Sequence, residues 1–201
     1  MKTVVIASNN AHKVQEIEEA LQMPGWRFVT LLQAGVISDP EEDSDTFLGN
    51  ARIKARAAYE AAGGHAVLAD DSGLEVDALG GEPGVLSARY AGIHGDDAAN
   101  NAKLLEELSI APSADRTARF VCSLVFIDED GSEIDAEGTV EGSIAFDPRG
   151  NHGFGYDPLF LPDAFDGSRT LAEAFPEEKN AVSHRGNALR ALREKLLAHT
   201  E

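Results

Sequence analysis

The chain has 201 residues, 35 acidic and 17 basic side chains and a net charge of −18. That balance lacks the basic footprint of a nucleic-acid binder, and no stretch reaches the ~20 apolar residues a membrane helix needs. A single cysteine, Cys122, excludes an internal disulfide and any cysteine-based zinc site, which points to a reducing cytoplasm.

The length suits one α/β domain spanning 1–201. The start, "KTVVIA" (2–7), is β-branched and reads as a first strand, too short for a signal peptide. Val14, Ile17 and Leu21 then recur at helical spacing until "MPG" stops the helix. "WRFVTLL" (26–32) reads as a second strand and "ISDPEEDSDT" as an acidic loop. Ser44 or Asp45 can cap the next helix, "FLGNARIKARAAYEAA", which ends at Gly63-Gly64. "HAVLAD" is a buried strand that runs into a turn at Asp70-Asp71. "DDAANNAKLLEELS" is a helix with Leu104, Leu105 and Leu108 inward. "RTARFVCSLVFID", "EDGS" and "EIDAEGTVEGSIAF" form a long hairpin. A loop over 147–163 follows, and "SHRGNALRALREKLLAH" closes the chain as a helix with Leu189, Leu192 and Leu196 buried. Early strand–helix alternation and later hairpins predict an α/β fold with a mixed sheet, helices packed on it and two lobes with a cleft between them.

Four stretches carry chemistry. "ASNNAHK" (7–13) joins a strand to a helix start, where amide groups attract phosphate, with Lys13 one turn in. It lacks the glycines and the Lys-Ser/Thr pair of a Walker loop. Asp70-Asp71-Ser72-Gly73 puts two carboxylates at the end of an apolar strand. Strand side chains alternate in direction, so the two acids face different surroundings, and one of them can hold Mg²⁺. "GNHGFGYDPLF" places Phe154 and Tyr156 among glycines, suited to a flat ligand, with Asp157 as an acceptor. "EEKNAVSHRGNAL" gathers Lys179, His184 and Arg185, donors for a carbonyl or phosphate oxygen, in an acidic protein. Histidine spacing offers no metal pair, and no GxSxG nucleophile is present.

Together, Ser8-x-Asn10-x-x-Lys13, "LADDSGLEVDALGGEPGVLSARYAG" (68–92), "GFGYDPLF" (153–160) and "SHRGNAL" (183–189) resemble the inosine triphosphate pyrophosphatase family over residues 3 to 197. The resemblance implies an elongated, two-lobed α/β fold with a central mixed sheet, an active-site cleft between the lobes, and a homodimer. It implies hydrolysis of non-standard purine nucleoside triphosphates (ITP, dITP, XTP) to monophosphate and pyrophosphate, which keeps them out of DNA and RNA. Mg²⁺, or Mn²⁺, is the implied cofactor.

Residue by residue, the resemblance makes Asp71 the catalytic carboxylate and a metal ligand, supported by Asp70. Glu41 is the acidic-loop metal ligand, with Glu42 as the neighbouring choice. Ser8, Asn9, Asn10, Ala11, His12 and Lys13 would cradle the triphosphate, Lys54 would face it and Ser72 would touch the substrate. Phe154, Gly155, Tyr156 and Asp157 would form the nucleoside pocket, with Phe154 or Tyr156 near the base. Lys179 would contact the nucleotide, while His184 and Arg185 would read the 6-oxo edge. Gly49 departs from the family pattern, standing where many relatives carry an acid, and His12 replaces a common glycine or lysine. A pyrophosphatase for another modified nucleotide and a non-catalytic nucleotide-binding module are the alternative readings.

Overall fold

The computed structural model describes residues 1–9, 11–111 and 115–199, with backbone only for Ala11 and His12. Six strands, β1 (Lys2–Ile6), β2 (Trp26–Thr30), β3 (Ala66–Val76), β4 (Thr117–Ile127), β5 (Glu133–Ile144) and β6 (Phe160–Pro162), pair in the order β2-β1-β3-β4-β5-β6. β1 runs parallel to both β2 and β3, and β6 antiparallel to β5, so the sheet is mixed. The helices are α1 (Ala11–Leu21), α2 (Leu31–Ala34), α3 (Phe47–Ala61), α4 (Asp97–Ile110), α5 (Pro176–Val182) and α6 (His184–Ala198). No described helix is long and apolar enough to cross a membrane.

The chain divides into two compact units. The first holds Met1–Asp71, Cys122–Gly138 and the residues from Gly186 onward. Its packing follows from strand alternation. Val4, Ile6, Ala66 and Leu68 share one core with Val14, Ile17 and Leu21 of α1 and with Leu189, Leu192 and Leu196 of α6. Their neighbours in sequence point the other way: Val5 and Val67 meet Ala58 of α3, and Ala69 meets Ala51 and Ala55. The alanine face of α3 lets that helix lie close to the sheet. Full burial of one aliphatic side chain such as Ile17 or Leu192 is worth about 1.5–3 kcal/mol.

The second unit, Ser72–Val121 and Thr139–Arg185, has its own core. Leu74 and Val76 of β3, Leu104 and Leu108 of α4, Phe120, Ile144, Leu159 and Phe160 pack there together. Phe120 and Phe160 meet with ring centroids 4.8 Å apart.

Four local expectations give way. β3 does not stop at Asp70 but continues to Val76, so both aspartates lie mid-strand and not in a turn. Asp, Ser and Gly disfavour strands, but ladder pairing outweighs that preference. The second strand ends at Thr30, whose side chain caps α2 in a capping box with Gln33. The closing helix starts at His184 and not at Ser183, the C-cap residue of the preceding helix α5. The cap of α3 is Thr46, whose hydroxyl accepts the Gly49 N–H at 3.1 Å, and not Ser44 or Asp45.

Candidate active site

In the first unit, the alternation of β3 decides the fate of the two aspartates. Asp70 continues the Ala66/Leu68 series, on the side where α1 packs, and Asp71 continues the Val67/Ala69 series, on the side of α3. Each meets a lysine from its own helix. Lys13 Nζ donates to both Asp70 oxygens, at 2.9 and 3.1 Å, and the Asp70 side chain is buried. Lys54 Nζ donates to Asp71 Oδ1 at 2.8 Å and lies 2.9 Å from Glu42 Oε2. The DD pair therefore serves two different ion pairs.

Burial pushes the Asp71 carboxyl above its ordinary value, against the pull of the Lys54 ammonium. Burial disfavours that ammonium too, but Asp71, Asp70 and Glu42 outweigh it and hold the Lys54 pKa above the ordinary lysine value. Asp71 is thus a partly desolvated carboxylate with a cation in contact.

The rest of the phosphate-loop expectation is distributed unevenly. Asn9 Oδ1 accepts the Leu32 N–H at 2.9 Å, and the Ser8 carbonyl accepts the Leu31 N–H at 3.2 Å, so both tie the loop to the start of α2. Asn10 lies outside the described residues, as do the side chains of Ala11 and His12. Glu41 is exposed, and it is Glu42 that reaches Lys54. Glu42 and Asp71, converging on one ammonium, form an all-oxygen donor pair. No group of three or more metal-ligating side chains occurs among the described residues. Two carboxylates completed by phosphate oxygens and water is a donor set that suits Mg²⁺ or Mn²⁺.

In the second unit, Gly153 starts a turn at φ +77°, and a Cβ there would overlap the Asp157 carboxylate. The turn is built around that carboxylate, which accepts the Phe154 N–H at 2.8 Å and Lys179 Nζ at 2.7 Å. Asp157 is buried, and burial pushes its carboxyl up while Lys179 opposes the shift. The Phe154 ring is 54% exposed, with the Lys179 ammonium 4.6 Å from its centroid and the Arg185 guanidinium at 6.0 Å. Tyr156 faces the opposite way. It is buried in the core and its hydroxyl donates to the Ser87 carbonyl at 2.9 Å, so of the two aromatics Phe154 is the one with a face to offer. His184 is buried and stacked on Phe120, centroids 4.8 Å apart at 14°, and Arg185 follows it at the start of α6. Ser72 Oγ is buried with no hydrogen-bond partner among the described residues.

Two residues absent from the sequence reading touch this turn. Asp97 Oδ2 accepts the Gly155 N–H at 2.7 Å, and Asn101 Nδ2 donates to the Gly155 carbonyl at 2.9 Å. The only signal in the sequence is a polar i, i+4 pair on α4, too common to single out.

In the second unit, a lysine held by a buried carboxylate, an open aromatic face and the buried Arg185 suit an anionic ligand that carries a planar ring. A model of the Ham1 family matches residues 4–195. The chain belongs to the Ham1 family. Among its relatives are the dITP/XTP pyrophosphatase of Cutibacterium acnes, 47% identical over 100% of this chain and 99% of the relative. That of Clostridium perfringens is 48% identical over 98% of each chain. Among solved structures, a HAM1 protein from Coxiella burnetii superposes with a TM-score of 0.90 at 43% identity, covering 98% of this chain and 100% of the other. The nucleoside-triphosphatase / dITP/XTP pyrophosphatase of Mycobacterium abscessus gives 0.78 at 48% identity, covering 94% and 98%. The mixed α/β sheet of this Ham1-family chain and the motif resemblance thus agree with full-length relatives.

Proposed function

We propose that the chain hydrolyses non-standard purine nucleoside triphosphates, ITP, dITP and XTP, to the nucleoside monophosphate and pyrophosphate, removing them from the nucleotide pool. The observation that carries this reading is the Lys54 ammonium held between the carboxylates of Asp71 and Glu42, beside a second lysine–aspartate pair, Lys13 and Asp70. The names of the relatives support the substrate class.

In this reading Lys13 and Lys54 face the triphosphate and offset its charge against a protein field of −18. A divalent cation, Mg²⁺ or Mn²⁺, held by Asp71 with Glu42 or Glu41 would supply further charge neutralisation at the phosphates. Asp71 takes the proton of a water as that water's oxygen bonds to the α-phosphorus. The bond from the α-phosphorus to the α–β bridging oxygen breaks, and pyrophosphate leaves.

The Phe154 face stacks the base, and Arg185 and His184 donate to the C6 carbonyl of hypoxanthine or xanthine. Adenine presents an amine there, and each donor left buried without an acceptor costs about 1–3 kcal/mol. A cytoplasmic homodimer completes the reading, carried by the family resemblance and the single cysteine.

The test is pyrophosphate release from ITP, dITP, XTP, GTP and ATP, each with Mg²⁺ and with EDTA. Metal-dependent release favouring the first three is expected. Equal rates on all five would remove the base assignment, and no release from any would remove the enzyme reading.

A further inference from the structure

The Gly155 peptide is gripped on both sides by one helix. Asp97 and Asn101 stand four residues apart on α4 and so project from the same face. Asp97 takes the Gly155 N–H and Asn101 gives to its carbonyl, at 2.7 and 2.9 Å. Gly155 has φ +61°, a left-handed conformation that a glycine leaves easily unless something holds it. It sits between Phe154, whose ring is the open aromatic face, and Tyr156, which is anchored in the core. The Phe154 N–H is tied separately to Asp157. The direction of the Phe154 ring therefore depends on a peptide that α4 holds from outside the loop.

Asn101 also gives up something to do this. Its Oδ1 is buried with no hydrogen-bond partner among the described residues. Turning the amide over would place two acceptor oxygens against each other at Gly155, so the orientation is fixed. An amide that strands its own acceptor in order to deliver one donor works against stability at that position.

We propose that Asp97 and Asn101 are positioning residues for base recognition, which fix the Gly155 peptide and through it the Phe154 face that stacks on the purine. This rests on the function proposed above. Both residues contact the Gly155 peptide and not Lys13, Lys54 or Asp71, so they act on base binding and leave the chemical step alone.

The test compares wild type, Asn101→Leu, Asp97→Ala and Asp97→Asn for KM, kcat and melting temperature with XTP. Asn101→Leu and Asp97→Ala should each raise KM roughly tenfold, the scale of one lost hydrogen bond, with kcat held within about threefold. Asp97→Asn keeps an acceptor for the Gly155 N–H and should restore the wild-type KM. Asn101→Leu should melt no lower than wild type, because the stranded acceptor leaves with the amide. Unchanged KM in both deletions overturns the proposal, as does a parallel fall of kcat and melting temperature without rescue by Asp97→Asn. A wild type that turns over no triphosphate overturns the function itself, and this proposal with it, before any variant is compared.

Discussion

Lys179→Met is the substitution whose consequence the structure sets most sharply. It removes the ammonium 2.7 Å from Asp157 Oδ2 while keeping most of the side-chain volume. The Asp157 side chain is only 4% exposed, so water cannot replace the lost charge. Breaking a buried pair by deleting one partner costs about 3–5 kcal/mol. The low end applies, because the Phe154 N–H still donates to the carboxylate and the Arg185 charge still favours it. A loss of about 3 kcal/mol in a chain of this size lowers the melting temperature by about 6–12 °C.

The loss has a pH signature. Burial already holds the Asp157 carboxyl above 3.8, and removing Lys179 raises it further. Between the unfolded and folded values the native state then keeps a proton that the unfolded chain has lost. Stability of the variant therefore falls as pH rises through that window, and the deficit against wild type shrinks as pH is lowered. Adding Asp157→Asn removes the stranded charge and leaves an amide oxygen for the Phe154 N–H, so the double variant should regain more than half of the loss. Thermal melts of the ligand-free proteins across pH read all of this. A Lys179→Met protein that melts within about 2 °C of wild type at neutral pH, or a double variant no better than the single, would mean that Lys179 does not neutralise a buried Asp157 charge.

Two further outcomes follow from the first unit. Asp71→Asn keeps an acceptor for Lys54 but cannot take a proton, so kcat should fall by about 10²–10⁴-fold with the melting temperature retained; turnover near wild type would remove Asp71 from its role. Gly49→Ala should destabilise by about 1–3 kcal/mol, because the new Cβ would overlap the Ser44 side chain and crowd Thr46, and overpacking outweighs the ~1 kcal/mol that alanine gains over glycine in a helix. In a Ser44→Gly background the same change should cost less, because only the contact with the Thr46 hydroxyl remains, and chemical denaturation of the four proteins checks the reduction.

Much of this molecule is written locally. The apolar alternation from Ala66 to Ala69 already sends Asp70 and Asp71 to opposite faces, because the side-chain period of a strand is fixed by its geometry. The stripe of Leu189, Leu192 and Leu196 marks the buried face of α6 for the same kind of reason. Motif order along the chain points to the family before any contact is known. Other features depend on partners distant in sequence. β3 runs through Asp-Asp-Ser-Gly only because neighbouring strands supply its ladder, and no local preference predicts that. That Lys54 meets Glu42 as well as Asp71, that Asn9 braces α2, and that Tyr156 turns inward while Phe154 turns out are all outcomes of packing. The grip of α4 on Gly155 is the furthest from sequence, joining residues 58 and 54 positions apart. Periodicity and chemistry reside in neighbouring residues and can be read from them; which distant side chain arrives at a given atom is decided only when the whole chain has packed.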